Sequence, residues 1–102
     1  GKLLFISGHL AIYPKEGKII APDINAQTAK IMENLKAILE VADFDLVDVV
    51  QTNIYLSSMA LFSDFNNTYA KYFDKDFPAR ATVGIQLMPG ARVEISAVAY
   101  KE

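Results

Sequence analysis

The sequence predicts an α+β fold: a single mixed β-sheet with two helices packed on one of its faces. Three observations lead there. Two segments, one opening near Pro22 and one near Ser57, repeat apolar residues at helical spacing. The remaining segments are apolar or alternate at strand length, with proline and glycine between them. The elements also follow the order strand, strand, helix, strand, helix, strand, strand, which lets one sheet and two amphipathic helices bury each other in two layers.

Taken in order, KLLFISGHLAIY (2–13) is rich in β-branched and large apolar residues and reads as a strand. PKEG (14–17) is a turn, and KII (18–20) a short return strand. Pro22 and Asp23 open the first helix, with Asp23 as its N-cap. Ile24, Ile31, Leu35, Ile38 and Leu39 form its buried stripe, through to Ala42. Asp43 then stands where a glycine often ends a helix, and Asp tolerates the left-handed conformation better than most residues. In DVVQTNIYL (48–56), Val50, Thr52, Ile54 and Leu56 alternate with Val49, Gln51, Asn53 and Tyr55. Ser57 or Ser58 caps the second helix, whose stripe is Phe62, Phe65, Tyr69 and Phe73.

Pro78 closes the helical region, and two strands follow. In ARATVGIQL (79–87), Ala79, Ala81, Val83, Ile85 and Leu87 point one way, and Arg80, Thr82, Gly84 and Gln86 the other. In RVEISAVAY (92–100), Val93, Ile95, Ala97 and Ala99 oppose Arg92, Glu94, Ser96, Val98 and Tyr100, with MPGA (88–91) as the intervening turn. The apolar rows are expected to pack on the helices, which leaves the polar rows to share the open face. Paired as a hairpin, the two strands would set Glu94 opposite Gly84 or Gln86.

The totals bound the function. At 102 residues the chain has the length of one domain, residues 1–102. With 52% hydrophobic residues, more apolar surface is available than a chain of this size buries alone, and a partner subunit is its usual destination. No apolar run approaches a membrane span and nothing resembles a signal peptide, so no membrane partner is expected. With no cysteine, disulfides, thiol nucleophiles and thiolate metal sites are excluded, in keeping with a cytoplasmic protein. Ten basic residues stand against twelve acidic ones without a basic block, which argues against nucleic acid as a partner.

Two polar residues are out of place among apolar neighbours. Arg80 lies on a strand whose neighbours on its own row, Thr82 and Gly84, are small. A gap beside a guanidinium suits a small carboxylate, which its fork grips with two parallel charge-assisted hydrogen bonds. The other reading is a cross-strand pair between Arg80 and Glu94. Asn66 falls inside the second helix's apolar stripe, and an amide there either bonds neighbouring backbone or faces a ligand.

FISGHLAIYPKEG, QTAKIMENLKAILEVADFDLVDVVQTNIYL, FNNTYAKYF, FPARATV and VEISAVA resemble, in order and spacing, the Rid/YjgF family of reactive-intermediate enamine/imine deaminases. The resemblance covers nearly the whole chain, and PAR and VEI are its most specific marks. It implies a chorismate-mutase-like α+β fold and a homotrimer with clefts between subunits. It also implies hydrolysis of short 2-imino acids, 2-iminopropanoate and 2-iminobutanoate among them, to 2-keto acids and ammonia, with no cofactor and no metal. By position, Arg80 matches the arginine that binds the substrate carboxylate, and Glu94 the glutamate that orients water. Thr82 stands where several relatives have cysteine, Ser7 and Gly8 match the family's SGQ, and Asn66 matches its helix asparagine.

The sequence departs from the family in three places. The usual N-terminal strand, with a tyrosine near the cleft, would lie ahead of Gly1: either the sequence is trimmed there or the protein manages without that tyrosine. His9 replaces the usual glutamine, a structural position for a lone histidine or one that tunes the cleft near neutral pH. The MPGA turn is one residue short. On this reading Arg80 holds the carboxylate, Glu94 orients water and relays protons, and backbone near Arg80 and Thr82 contacts the reacting nitrogen. The alternative is a module that binds small carboxylates without catalysis. A ribonuclease reading finds no basic stripe and only one histidine to support it.

Overall fold

The computed structural model describes residues 1–13, 15–19 and 22–102. The first segment is strand β1 (Lys2–His9), followed by the short β2 (Ile12–Tyr13) and β3 (Lys18–Ile19). Helix α1 (Ile24–Val41) leads through a 3-10 turn to β4 (Val49–Leu56). A second 3-10 turn, Met59–Leu61, runs into helix α2 (Phe62–Tyr69), and strands β5 (Ala79–Gly84) and β6 (Val93–Lys101) complete the chain. Pro14 and Ile20, which belong to the expected turn and return strand, lie outside the described residues. The expected single strand over 2–13 is instead two strands, and β2 pairs with β3 in a separate two-stranded ribbon.

Helix α1 begins and ends where the sequence indicates. Asp23 caps it, its Oδ1 accepting the Ala26 N–H at 2.7 Å. At the far end the Phe44 N–H donates to the Leu39 carbonyl and the Asp43 N–H to that of Glu40, a Schellman closure that needs a left-handed residue between. Asp43 takes that role, with φ at 64°. Ile24, Ile31, Leu35 and Leu39 are buried along one face, joined by Met32. Buried Gln27 also ties α1 to the turn after β5: its amide donates to the Gly90 carbonyl and its Oε1 accepts the Arg92 N–H, each at 2.9 Å.

The main sheet has the order β1-β6-β4-β5. Strand β6 is antiparallel to both β1 and β4, whereas β4 and β5 run parallel, so the sheet is mixed. A parallel pair needs a crossover, and α2 supplies it. Both helices cover one face of the sheet, with Ile54, Leu56, Ile95, Ala97 and Ala99 beneath Leu35, Leu39 and Phe65. Each large side chain buried here contributes about 1.5–3 kcal/mol of transfer free energy.

Two expectations about the last strands are corrected. β5 and β6 are not a hairpin, because β4 lies between them and residues 85–92 carry the chain from the sheet edge past it. The rows of β5 are also reversed. Arg80, Thr82 and Gly84 stand opposite Thr52, Ile54 and Leu56, the buried row of β4, so they face the helices. Ala79, Ala81 and Val83 lie on the open face. The reason is register and room: β5 must follow β4, and the inner row suits small residues because Met59 closes over it. A Cβ at Gly84 would come within 3.1 Å of Met59 Cγ. Strand β5 also stops at Gly84, short of the expected Leu87.

In β4 a register shift between Val49 and Gln51 buries Val49 and leaves Val50 exposed, reversing the expected alternation at that end. From Thr52 to Leu56 the rows are as expected, and those of β6 hold throughout.

Candidate functional site

The residues that the sequence singles out fall into two groups, at opposite edges of the sheet and on opposite faces. Arg80, Thr82 and Asn66 make the first. Arg80 projects from edge strand β5 toward α2, where its Nη1 donates to Asn66 Oδ1 at 2.7 Å. The guanidinium carbon lies 5.2 Å from the ring centre of Tyr69 and 5.4 Å from that of Phe62, within cation–π range of both. Asn66 thus gives its Oδ1 to the arginine and not to neighbouring backbone, and it lines the cleft beside that arginine.

No carboxylate pairs with Arg80: among the described residues the one ion pair is Lys36–Glu33. A guanidinium carries five N–H donors. Asn66 engages one, and among the described residues it is the only hydrogen-bond partner. The remaining donors border a cleft of about 300 Å³ lined by Asn66, Tyr69, Ala70, Phe77, Pro78 and Arg80. That is at the small end of the range for ligand sites.

The backbone of β5 adds donors beside the cleft. The Ile85 N–H bonds the Leu56 carbonyl, so alternate residues before it, 83 and 81, turn their N–H groups toward β4. Arg80, Thr82 and Gly84 therefore turn theirs to the free edge, where the sheet has no further strand among the described residues. The Thr82 hydroxyl itself is enclosed without a hydrogen-bond partner, so Thr82 can reach a ligand at the edge through its backbone.

Beneath the arginine, Tyr69 is 3% exposed and Thr52 is 1% exposed, and their hydroxyl oxygens lie 2.8 Å apart. Burial holds the Tyr69 phenol above its ordinary pKa, against the opposing effects of the Thr52 hydrogen bond and the Arg80 charge. The phenol is therefore a neutral hydrogen-bonding group at physiological pH. Sequence reasoning placed Tyr69 in the core stripe and passed over Thr52. The available signal was Thr52 itself, the one hydroxyl in the inner row of β4.

Ser7, Gly8 and Glu94 make the second group. Two residues of β1, Ser7 and Gly8, lie between Ile6 and His9 where β6 has only Ser96 between Ala97 and Ile95, so Ser7 and Gly8 form a bulge. The Glu94 carboxylate rests against Gly8, where a Cβ would overlap its Oε2. Glu94 stands opposite Tyr55 in the outer row, whereas Arg80 stands in the inner row opposite Thr52. The expected shared face, and with it a cross-strand Arg80–Glu94 pair, is thus corrected: the intervening β4 and its register send the two side chains to opposite sides. His9 belongs to neither group. It stands opposite inward Ile95 and, with neighbouring Gly8, lines a hollow against Asn34 and Ile38 of α1. Among the described residues, no three His, Cys, Asp or Glu side chains could hold a metal ion together.

Comparison with known proteins concerns the chain as a whole. The family model described as endoribonuclease L-PSP matches residues 1–101. A RutC family protein from Pyrococcus horikoshii is 45% identical over 100% of this chain and 82% of its own. Reactive Intermediate Deaminase A, chloroplastic, from Arabidopsis thaliana is 37% identical over 95% of this chain and 52% of its own. The crystal structure of RidA from the Antarctic bacterium Psychrobacter sp. superposes with a TM-score of 0.92 at 33% identity, covering 99% of this chain and 82% of that one.

Proposed function

The chain belongs to the Rid/YjgF family, whose model is described as endoribonuclease L-PSP, and from that premise we propose that it hydrolyses short 2-imino acids to 2-keto acids and ammonia. The observation that carries the reading is Arg80: a guanidinium fixed by an amide and two rings, without a carboxylate partner among the described residues, at the mouth of a small cleft. A fixed cation with free donors fits a small carboxylate. The backbone N–H groups of Arg80 and Thr82 at the free edge fit the nitrogen end or the tetrahedral adduct of the same molecule.

The reaction is a balanced hydrolysis. Arg80 binds the carboxylate of the protonated imine. Water adds through its oxygen to the imine carbon, and Glu94 takes the proton that the water loses. Glu94 returns that proton to the amine nitrogen. The C–N bond then breaks as the adduct oxygen forms the C=O bond and gives up its own proton, by way of Glu94, to the departing ammonia, leaving a 2-keto acid and ammonium. Positioning supplies most of the rate, because a protonated imine is already electrophilic.

One chain does not bring Arg80 and Glu94 together, so the proposed site joins two copies. Arg80, Thr82 and Asn66 come from one protomer, and Glu94, Ser7 and Gly8 from the next, in a homotrimer with three such clefts. Exposed Leu3, Phe5, Val83 and Tyr100 on the open face are the apolar surface this assembly would cover.

The test generates 2-iminopropanoate in place with an amino-acid oxidase and follows pyruvate and ammonia release. The protein is expected to accelerate release, and Arg80→Ala and Glu94→Gln to abolish the acceleration while keeping the fold. Pyruvate binding without acceleration would make the protein a carboxylate-binding module instead.

A further inference from the structure

We propose that Tyr69, tethered by Thr52, is a positioning residue for Arg80: it fixes where the guanidinium meets the substrate carboxylate. The inference rests on the reading of Arg80 as the carboxylate-binding group.

An arginine on an edge strand would ordinarily sample many rotamers, and a ligand that needs one of them must first select it. Here three contacts select it beforehand. Asn66 takes one N–H, and Phe62 and Tyr69 lie under the guanidinium. Of the two rings, Phe62 is only part-buried whereas Tyr69 is almost wholly enclosed, so Tyr69 is the firmer support. Its hydroxyl is bound to Thr52, and Thr52 is the register partner of Arg80 across β4 and β5. The chain of contacts closes on itself, from the Arg80 backbone across the ladder to Thr52, through the hydrogen bond to Tyr69, and from its ring back to the guanidinium. A tyrosine held this way cannot shift relative to the strand that carries the arginine. The buried hydroxyl pair also explains why a polar residue occupies the inner row of β4, where Ile54 and Leu56 are its neighbours.

Such a device acts on binding more than on the chemical step, because it orders Arg80 before the carboxylate arrives. Tyr69→Leu, which removes the ring, is expected to raise both the pyruvate Kd by calorimetry and the KM for 2-iminopropanoate by about tenfold, with kcat held within about twofold. Tyr69→Phe and Thr52→Val keep the packing, and each is expected to raise Kd about threefold. Their double variant should be no worse than either single one, since both remove the same bond. Leu35→Ala, a core truncation away from the cleft, should lower Tm without moving Kd. Parental Kd and KM in a folded Tyr69→Leu protein would overturn the proposal. If that variant does not fold, parental Kd values in both Tyr69→Phe and Thr52→Val overturn it equally, as does a loss confined to kcat. Arg80→Ala separates the two levels. Lost pyruvate binding there with unchanged Tyr69 variants sinks only the positioning role, whereas parental binding by Arg80→Ala sinks the functional reading and this inference together.

Discussion

Arg80 and Glu94 show how much the meaning of a charged side chain depends on what stands beside it. Among the described residues Arg80 has no carboxylate partner, and it is fixed by Asn66, Phe62 and Tyr69, which is why the proposed reading gives its charge to a guest. Its removal is expected to leave stability within about 1 kcal/mol of the parent, since the contacts it loses are a part-exposed cation–π pair and one hydrogen bond. Gly8 is the matching test on the other group. In Gly8→Ala the new methyl displaces the Glu94 carboxylate, and kcat is expected to fall by about tenfold to a hundredfold with Tm little changed. Tyr69 gives a pH signature. Its raised pKa means that the folded state keeps a proton the unfolded chain loses above about pH 10. The stability this represents is complete below that pH and is lost as pH rises through the folded value. Denaturant midpoints at about pH 9 and 11 should therefore fall less in Tyr69→Phe than in the parent. Arg80 and Asn66 stand out in the sequence as polar residues in an apolar pattern, whereas Glu94, in a polar row, stands out only through the family resemblance of VEI. Which face Arg80 uses was not legible, since a strand's two rows are distinguished by its register partner, and β4 is not its neighbour in the chain.

The helices and strands differ in how far local chemistry determines them. Helix α1 was legible from cap to cap: Asp23 binds the first turn and Asp43 closes the last one in the left-handed conformation. Asp23→Ala is expected to cost about 1 kcal/mol, and Asp43→Gly to gain about 0.5–1 kcal/mol by relieving that conformation; thermal melts check both. Strand β6 was legible because it is central, with one fully apolar row. Strand β5 was misread because it is an edge strand: its alanines and Val83 look like a core row, yet the helices do not cover them. The inner row instead takes Thr82 and Gly84 beneath Met59, and sends the long Arg80 out at the rim. Parallel pairing of β4 with β5 also escaped a local reading, because the crossover through α2 sets it and a turn does not.

The two groups of candidate residues lie toward the two ends of one sheet, on its two faces, and the site proposed above brings them together across copies. The surplus of apolar residues in the composition has its structural counterpart in the uncovered face, where Phe5 is 72% and Leu3 is 59% exposed. Among the described residues no helix is long and apolar enough to cross a membrane. In the proposed assembly, Arg80 at the β5 rim of one protomer meets Glu94 on the open face of its neighbour. The decisive measurement mixes two inactive variants, Arg80→Ala and Glu94→Gln, unfolded together in equal amounts and refolded. If each cleft takes its arginine and its glutamate from different protomers, random assortment restores about a quarter of the parental imine hydrolysis. Mixed trimers that form in full yet recover no activity would contradict the shared cleft, and with it the proposed chemistry.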